Sequence, residues 1–184
     1  MLTHPIATIE PLAAAEFAHF LDYLDDHLQD NGADGVGYFQ PQPRGATRFP
    51  PERAAAFQAG LDIPVGEPGW RRAWVARNAE RWIVGHVDLR GHPERFTEHR
   101  CLLGMGVARN YRKAGLGFAL LACAEQWALV TAGLEWIDLQ VMSENLPAIR
   151  LYGRAGFMKI GEIPEMFRID GREYSYTFMS KRLA

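Results

Sequence analysis

The sequence has 184 residues, with 20 Lys and Arg against 22 Asp and Glu, and its formal net charge is −2 at pH 7. Its hydrophobic content of 48% excludes a disordered chain, and its length predicts one folded domain over residues 1–184. The absence of Lys/Arg runs argues against a nucleic-acid partner. The longest apolar stretch, residues 116–124, is much shorter than the roughly 20 residues that cross a bilayer, so we expect a cytoplasmic protein without a membrane partner.

The two cysteines, Cys101 and Cys123, both lie in apolar segments. In such a context a cysteine usually acts as a small buried hydrophobic residue, whereas a zinc site needs about four ligands at close spacing. We therefore predict neither a disulfide nor a metal site.

The first predicted helix follows Pro11 and ends at Asn31-Gly32, because glycine commonly follows the last helical turn. Its apolar side chains recur at steps of three and four: Phe17, Phe20, Leu21, Leu24 and Leu28. Residues 31–50 have no hydrophobic period and are predicted to form a loop. A shorter helix is predicted from Pro51 to about Leu61.

Three strands are predicted next. Residues 72–77 and 81–89 flank the polar Asn78-Ala79-Glu80, a connection typical of a β-hairpin, and a polar loop follows over residues 90–99. Residues 101–107 form the third strand, which contains Gly104 and Gly106. Interior glycines often mark either a bulge or a place where another group approaches the backbone closely, so we expect one of the two there.

The remaining chain alternates between helix and strand. The spacing of apolar residues predicts a helix over residues 116–130, and Gly133 follows its end. Residues 136–141 alternate as a strand with two different environments. A short helix is predicted from Pro147 through Tyr152, with Gly156 as its left-handed cap.

Asp170-Gly171 is the strongest hairpin signal of the sequence. It predicts two final strands, over residues 166–169 and 173–179.

A glycine-rich turn leads from the strand at residues 101–107 into the following helix. Gly115 and Gly117 leave the backbone N–H groups of the helix start open to an anion, for which a diphosphate is suitable, and Arg112 and Lys113 add positive charge. An ordinary tight turn is the alternative. The spacing differs from the dinucleotide-binding pattern, and a Walker phosphate loop is excluded because Gly-Lys-Ser/Thr is absent.

Two motifs resemble those of one family. Residues 112–117, RKAGLG, resemble the Arg/Gln-x-x-Gly-x-Gly/Ala signature of the GNAT superfamily of acyl-CoA N-acyltransferases. Residues 145–157, NLPAIRLYGRAGF, are similar to the Asn-x-x-Ala-x-x-x-Tyr-x-x-x-Gly-Phe block that follows the next strand in that family. The resemblance covers residues 101–183 and extends in order and position to the hairpin at residues 72–89.

The resemblance implies an α/β (α+β) fold: a mixed, mostly antiparallel sheet flanked by helices and splayed at a central parallel strand pair, here residues 101–107 and 136–141. The gap between those strands would hold the pantetheine arm of acetyl-CoA, the acyl donor. Binding residues are implied at the bulged strand, at the signature and at the end of the next strand: Met105, Val107, Arg112, Lys113, Ala114, Gly115, Leu116, Gly117 and Asn145. For Asn145 the alternative is a helix cap before Pro147.

The resemblance also implies an acetyl transfer to a primary amine, with Tyr152 donating to the thiolate that leaves. Some members place a glutamate as general base where this sequence has Cys101, so the base must be sought elsewhere. His99, Glu98 and His86 are the candidates in that order, with Asp88 on the same strand face as His86, and water is the alternative.

The acceptor amine is expected between the loop of residues 31–50 and the last hairpin, and it belongs to a small molecule or to a peptide or protein. Tyr38, Phe39, Arg44 and Arg48 supply aromatic and cationic side chains there. Two alternatives stay open. One is a catalytically silent acyl-CoA-binding sensor or interaction domain, and the other is a transferase that uses another acyl-CoA. A homodimer through the final strands is expected from the family alone.

Overall fold

The computed structural model describes residues 7–33 and 35–183. Its strands are β1 (Thr8–Pro11), β2 (Arg71–Arg77), β3 (Ile83–Gly91), β4 (Arg100–Val107), β5 (Trp136–Met142), β6 (Met158–Ile169) and β7 (Arg172–Arg182). Its α-helices are α1 (Phe17–Leu28), α2 (Pro51–Gly60), α3 (Leu116–Gln126) and α4 (Leu146–Arg154). Residues 31–50 contain no helix or strand where they are described, as predicted.

The seven strands form one sheet in the order β1-β2-β3-β4-β5-β7-β6. Every neighbouring pair is antiparallel except β4 and β5, which run parallel at the centre. This mixed, mostly antiparallel sheet with flanking helices confirms the predicted fold class.

Helices cover the two faces of the sheet. On one face, α3 buries Leu120 and Leu121 in a core that also holds Val87 of β3 and Ile137 of β5. On the other face, the rings of Phe20 in α1 and Phe57 in α2 lie 5.2 Å apart in a second cluster over β2. Each fully buried side chain of this size contributes about 1.5 to 3 kcal/mol relative to its exposed state. The two clusters together hold the helices on the sheet.

The helix predicted over residues 116–130 changes its geometry near its end. It is α-helical to Gln126 and continues as a π-helical turn, Trp127–Thr131, in which the Ala132 N–H donates to the Trp127 carbonyl at 3.1 Å. Gly133 then adopts a left-handed φ of 64°, as a residue after a helix end often does. The wider turn places the Trp127 ring 5.2 Å from that of Trp74 on the sheet.

Two edge segments are longer or additional relative to the predicted elements. Strand β1, which ends in Pro11, is not predicted by the sequence, and β6 begins at Met158 instead of residue 166. The first part of β6 is mostly exposed and lacks the alternation of a half-buried strand. Its pairing with β7 is interrupted between Ile163 and Phe167, where Glu165 has a φ of 51°.

The final hairpin turns at the predicted dipeptide. Asp170 and Gly171 have φ values of 49° and 78°, which is the pair of positive values that a two-residue hairpin turn requires. In residues 7–33 and 35–183, no helix is long and apolar enough to cross a membrane. The same residues bring no group of three His, Cys, Asp or Glu side chains into an arrangement that suits a metal ion.

Candidate active site

The central parallel strands separate after a short paired segment. Arg100, Cys101 and Leu102 of β4 pair with Trp136, Ile137 and Asp138 of β5, and the pairing stops there. From Leu103 to Val107 on β4, and from Leu139 to Met142 on β5, the two strands do not pair with each other. The splayed pair that the family resemblance implies is therefore present.

The register with β3 decides which groups of β4 face this gap. The Ala108 N–H donates to the Val84 carbonyl of β3 at 2.9 Å. Because backbone groups alternate along an antiparallel ladder, Gly104 and Gly106 also turn theirs towards β3, and Met105 and Val107 turn theirs towards β5. The Met105 and Val107 N–H groups, which the sequence proposes as donors, thus face the gap. The Val107 carbonyl accepts the Arg112 Nε–H at 2.9 Å.

The bulge that the family resemblance implies for β4 is absent from its pairing with β3, so that prediction is wrong. The pairing of β3 with β4 runs from Gly85 opposite Val107 to Gly91 opposite Cys101 without a register shift. The two glycines of β4 instead leave room for side chains of neighbouring elements. A Cβ at Gly104 would lie 2.4 Å from Asp88 Oδ2, and one at Gly106 would lie 2.8 Å from His27 Nε2. Because Gly104 and Gly106 have no side chains, Asp88 and His27 can lie close to the backbone of β4, beside the gap.

The turn before α3 presents free backbone donors. Gly115 is the residue before the helix and has a φ of 84°, and Lys113 has a φ of 63°. In the described chain, none of the backbone N–H groups of residues 113–117 donates to a backbone carbonyl, and no side chain caps the helix. The N–H groups of Lys113, Ala114, Gly115, Leu116 and Gly117 are therefore available to an anion at the positive end of the helix dipole.

Two residues of this signature have roles that differ from the expected ones. Arg112 does not extend freely towards an anion, since its guanidinium binds the Val107 carbonyl and, at 3.1 Å, Asp30. It fixes the turn to β4 and to the end of α1. A Cβ at Gly117 would lie 3.0 Å from Leu151 Cδ2, so this glycine permits close packing of α3 on α4. Lys113 is exposed.

Tyr152 lies on α4, buried with its ring 5.8 Å from that of Phe157. Its neighbour Leu151 contacts the start of α3 beside Met105. Burial raises the pKa of the Tyr152 phenol, and the nearby Tyr176 of β7 raises it further. Tyr152 is therefore fully protonated at neutral pH and stands near the open part of the gap.

Asn145 is the cap of α4. Its side-chain oxygen accepts the Ala148 N–H at 3.3 Å, which is the alternative that the sequence left open. This contact fixes the chain where it leaves β5 and enters the helix that carries Tyr152.

Glu98 and His99, two of the predicted catalytic residues, lie exposed just before β4. The His99 carbonyl accepts the N–H groups of Glu135 and Trp136, at the end where β4 and β5 are paired. At about 3.3 Å per residue, His99 is roughly 20 Å from Met105 along the strand. The structure does not bring Glu98 and His99 together with Tyr152 or with the open part of the gap.

Cys101, at the position where some relatives have a glutamate, is completely buried. Burial raises the pKa of its thiol to about 12, with Asp138 adding to the effect. Its Sγ lies 3.7 Å from the Trp136 carbonyl. Cys101 is thus a packed core side chain, as predicted, and is not ionised at neutral pH.

A charged cluster that the motifs do not indicate lies above Gly104. Asp88, which pairs with Gly104, is contacted at 3.5 Å by both Arg71 Nε and Arg90 Nη1. Arg53 of α2 and Arg90 both act electrostatically on Arg71, and both also act on the phenol of Tyr176. The alternation of residues 86, 88 and 90 on one strand face is the sequence signal that leads to this cluster.

His86, which is buried, lies beside the cluster, and the half-buried His27 lies next to His86. His86 Nδ1 is 3.2 Å from the Tyr23 hydroxyl, and that hydroxyl donates to the Gly106 carbonyl at 3.1 Å. Burial lowers the pKa of His86 to about 4 and that of His27 to about 3. Both rings are therefore neutral at physiological pH.

The loop after α1 reaches the last hairpin, as expected for the acceptor side. The Tyr38 hydroxyl donates to Asp170 Oδ2 at 2.5 Å, and the Arg44 N–H donates to the same oxygen at 3.0 Å. Nearer the gap, a cavity of about 170 Å³ opens where β4 and β5 separate, between Leu102, Gln140 and Phe178. His92, Arg100 and Asp138 also line this cavity, so it begins at the last paired residues of the two strands.

The Acetyltransferase (GNAT) family matches the chain over residues 41–157. The mycothiol acetyltransferase of Clavibacter michiganensis subsp. michiganensis is 34% identical over 112 residues, which are 58% of this chain and 34% of that protein. The spermidine N(1)-acetyltransferase of Vibrio cholerae is 28% identical over 103 residues, which are 55% of this chain and 57% of that protein. The matched part is thus about a third of the first relative and just over half of the second.

The fold has solved counterparts. The structure of yncA from Salmonella typhimurium with its cofactor acetyl-CoA superposes with a TM-score of 0.77 and 19% identity, over 97% of this chain and 94% of that one. At this identity the likeness concerns the fold alone. The family match extends over most of the chain and contains the glycine-rich turn, the gap and Tyr152. This chain is a member of the GNAT family of acetyltransferases.

Proposed function

We propose that this protein transfers an acetyl group from acetyl-CoA to a primary amine of a small molecule or peptide, by direct attack of the amine on the thioester. The main support is the separation of β4 and β5 beyond Leu102 and Asp138, together with the free N–H groups of residues 113–117 near the end of that gap. A strand edge with unpaired donors suits an extended chain that carries amides, and a helix start suits a diphosphate.

The residues on the donor side fit such a molecule. The Met105 and Val107 N–H groups would bind the extended arm as an added strand would, and the five amides from Lys113 to Gly117 would hold the diphosphate. Arg112 keeps this turn in place through Val107 and Asp30, and Lys113 adds a cation. Asn145 supports the site indirectly by capping α4.

The transfer forms one C–N bond and breaks one C–S bond, while the amine loses a proton and the thiolate gains one. The Met105 N–H faces the position where negative charge develops on the carbonyl oxygen, so it stabilises the transition state. Tyr152 donates a hydrogen bond to the sulfur as it leaves. Because burial raises the pKa of Tyr152 while a thiol has a pKa of about 8.5, complete proton transfer from Tyr152 is unfavourable, and the hydrogen bond is its main contribution.

The proton of the amine passes to water in this proposal. Cys101 is not a base, since burial raises its pKa, and Glu98 and His99 lie at the paired end of β4. Water entering the gap between β4 and β5 would accept this proton. The thiol proton is supplied from the same solvent once Tyr152 has stabilised the thiolate.

Titration calorimetry with acetyl-CoA and an assay of free thiol over a panel of amines test the proposal together. We expect micromolar binding of acetyl-CoA and thiol release that depends on an added amine. Absence of binding at millimolar acetyl-CoA would refute the assignment. Binding without thiol release from any amine would identify a silent binding domain, and faster release from propionyl- or succinyl-CoA would identify a different donor.

A further inference from the structure

We propose that the acceptor amine also carries a carboxylate, which the guanidinium groups of Arg53, Arg71 and Arg90 bind above Gly104. This inference rests on the proposed function and specifies its acceptor.

The first argument is the charge balance of the cluster. Arg71 of β2 and Arg90 of β3 both contact Asp88, and Arg53 of α2 is close enough to act electrostatically on Arg71. In the described part of the chain, Asp88 is the only carboxylate in ion-pair contact with any of the three, and its two contacts are long, at 3.5 Å. Three positive charges around one negative charge leave a surplus that favours a bound anion.

The second argument is how the arginines are held. The guanidinium carbon of Arg71 lies 4.1 Å from the centroid of the Phe57 ring, and 20% of the Arg71 side chain is exposed. Arg90 exposes 33% of its side chain. A guanidinium packed on an aromatic ring keeps the N–H donors in its own plane free, so Arg71 can donate to a carboxylate. The partly exposed Arg90 guanidinium can donate to the same carboxylate. Burial lowers the pKa of Arg71, which shows that its charge is poorly solvated and gains from a counter-ion.

The third argument is the distance from the reacting atoms. A Cβ at Gly104 would lie 2.4 Å from Asp88 Oδ2 and 3.4 Å from Arg90 Nη1. Gly104 is followed directly by Met105, whose N–H faces the gap. A carboxylate held beside Gly104 would therefore lie close to the acyl site of the proposed function, which suits an acceptor whose amine and carboxylate are on the same or on neighbouring carbon atoms. The phenol of Tyr176 lies near enough to Arg90 and Arg53 that both charges act on it.

This charge selects against polyamines. A ligand with several ammonium groups and no carboxylate would be repelled by the three guanidinium groups. The acceptor that follows from the cluster thus differs from the one named for the spermidine acetyltransferase relative.

The test compares matched acceptors in the thiol-release assay. L-leucine, L-leucinamide and 3-methylbutylamine share a side chain and an amine, and only the first has a carboxylate; the analogous sets with other side chains and spermidine complete the panel. We expect kcat/KM for the amino acids to exceed that for the amides and simple amines by about ten- to a hundredfold, the effect of a charged hydrogen-bonded partner. The deaminated acid, 4-methylpentanoate, should inhibit competitively against the amino acid.

Substitutions separate a carboxylate site from a structural role. Arg90→Gln and, on the exposed face of α2, Arg53→Gln should lower kcat/KM for amino acids about tenfold while changing that for amides less than about twofold. Arg95→Gln, on an exposed loop, is the matched control and should change neither.

Equal losses for acids and amides, or a preference of the unmodified enzyme for amides, simple amines or spermidine, would overturn the inference. So would binding of acetyl-CoA without thiol release from any amine. Failure to bind acetyl-CoA would instead refute the proposed function itself, so the two failures are distinguishable.

Discussion

The Arg100 guanidinium donates two hydrogen bonds to the Asp138 carboxylate, from Nε to Oδ2 at 2.8 Å and from Nη2 to Oδ1 at 2.6 Å. Ser180 of β7 donates to Oδ1 at 2.6 Å, and His92 Nε2 lies 2.9 Å from Oδ2. Burial opposes ionisation of Asp138, but the hydrogen bonds from Arg100, Ser180 and His92 hold its pKa below the usual value. The network joins β4, β5 and β7 where the central strands are still paired.

Asp138→Asn should destabilise the fold by about 3 kcal/mol, because it leaves the partly buried Arg100 without its counter-charge. Urea denaturation at pH 7 measures the change. Asp62→Asn, at an exposed position after α2, is the control and should stay within about 0.5 kcal/mol. A loss at Asp138 no larger than that of the control would show that the network does not hold the strands together.

Gly115→Ala should weaken the binding of acetyl-CoA about tenfold or more, since the left-handed φ of 84° that aims the amides costs an alanine about 1 to 2 kcal/mol. Gly133→Ala is matched to it, with a φ of 64°, open space around the added Cβ and a position at the other end of the helix. Both variants should lose similar stability in thermal unfolding. Calorimetry should show weaker binding of acetyl-CoA for Gly115→Ala alone. Equally weakened binding in Gly115→Ala and Gly133→Ala would contradict a specific role of the turn before α3.

Gly104→Ala should lower both stability and kcat/KM, because the new Cβ would lie 2.4 Å from Asp88 Oδ2 and force the carboxylate and its arginines to move. We expect a loss of about 1 to 3 kcal/mol in unfolding free energy. Gly153→Ala, inside α4 with nothing near the added Cβ, should instead stabilise the protein by about 0.5 to 1 kcal/mol. Unchanged activity of Gly104→Ala would show that the cluster can shift without consequence.

The stability of the protein should fall as the pH is lowered from about 6.5 to 4. Burial lowers the pKa values of His86 and His27 from 6.5 to about 4 and about 3, so in this interval the unfolded chain binds more protons than the folded one. Each histidine contributes a slope approaching about 1.4 kcal/mol per pH unit. The contribution is complete above pH 6.5 and is lost on acidification.

Urea denaturation over this pH range measures the slope. His27→Met should reduce it, and His19→Gln, which changes an exposed histidine, should not. A slope that His27→Met leaves unaltered would show that this ring is protonated in the folded protein.

Tyr152→Phe should lower kcat about a hundredfold and leave the KM for acetyl-CoA nearly unchanged, because the phenol acts on the sulfur only as it leaves. Tyr111→Phe is the control; its hydroxyl accepts a hydrogen bond from Asn78 and lies outside the gap. Full turnover of the Tyr152 variant would remove the residue from the chemistry.

Most of the fold follows from local signals in the sequence. The apolar spacing of α1, the hairpin at Asp170-Gly171 and the helix start at Gly115 each depend on residues close together in the chain, and each is confirmed. Strand β1 was not predicted, because Thr8–Pro11 is short and ends in proline, and the first half of β6 was not, because an exposed edge strand has no buried face.

The splayed strands and the glycine-rich turn were predictable from the family resemblance, whereas the arginine cluster above Gly104 was not. The signature and the Tyr152 block lie within residues 112–157, so the resemblance of two nearby motifs to those of one family is enough to imply the chemistry. The cluster above Gly104 depends on the register that places Asp88 opposite that glycine and on α2 folding back over β2, and neither is encoded locally. Gly104 and Gly106 were correctly singled out, but they admit side chains instead of forming a bulge.

The hydrogen bond between Tyr38 and Asp170 ties together residues 132 positions apart, so the rim of the acceptor side is assembled from the two ends of the chain. The N–H groups proposed to bind the donor, by contrast, all lie in one continuous segment, residues 105–117. Under the proposed function, substitutions in this rim could change the acceptor without altering the N–H groups that bind the donor.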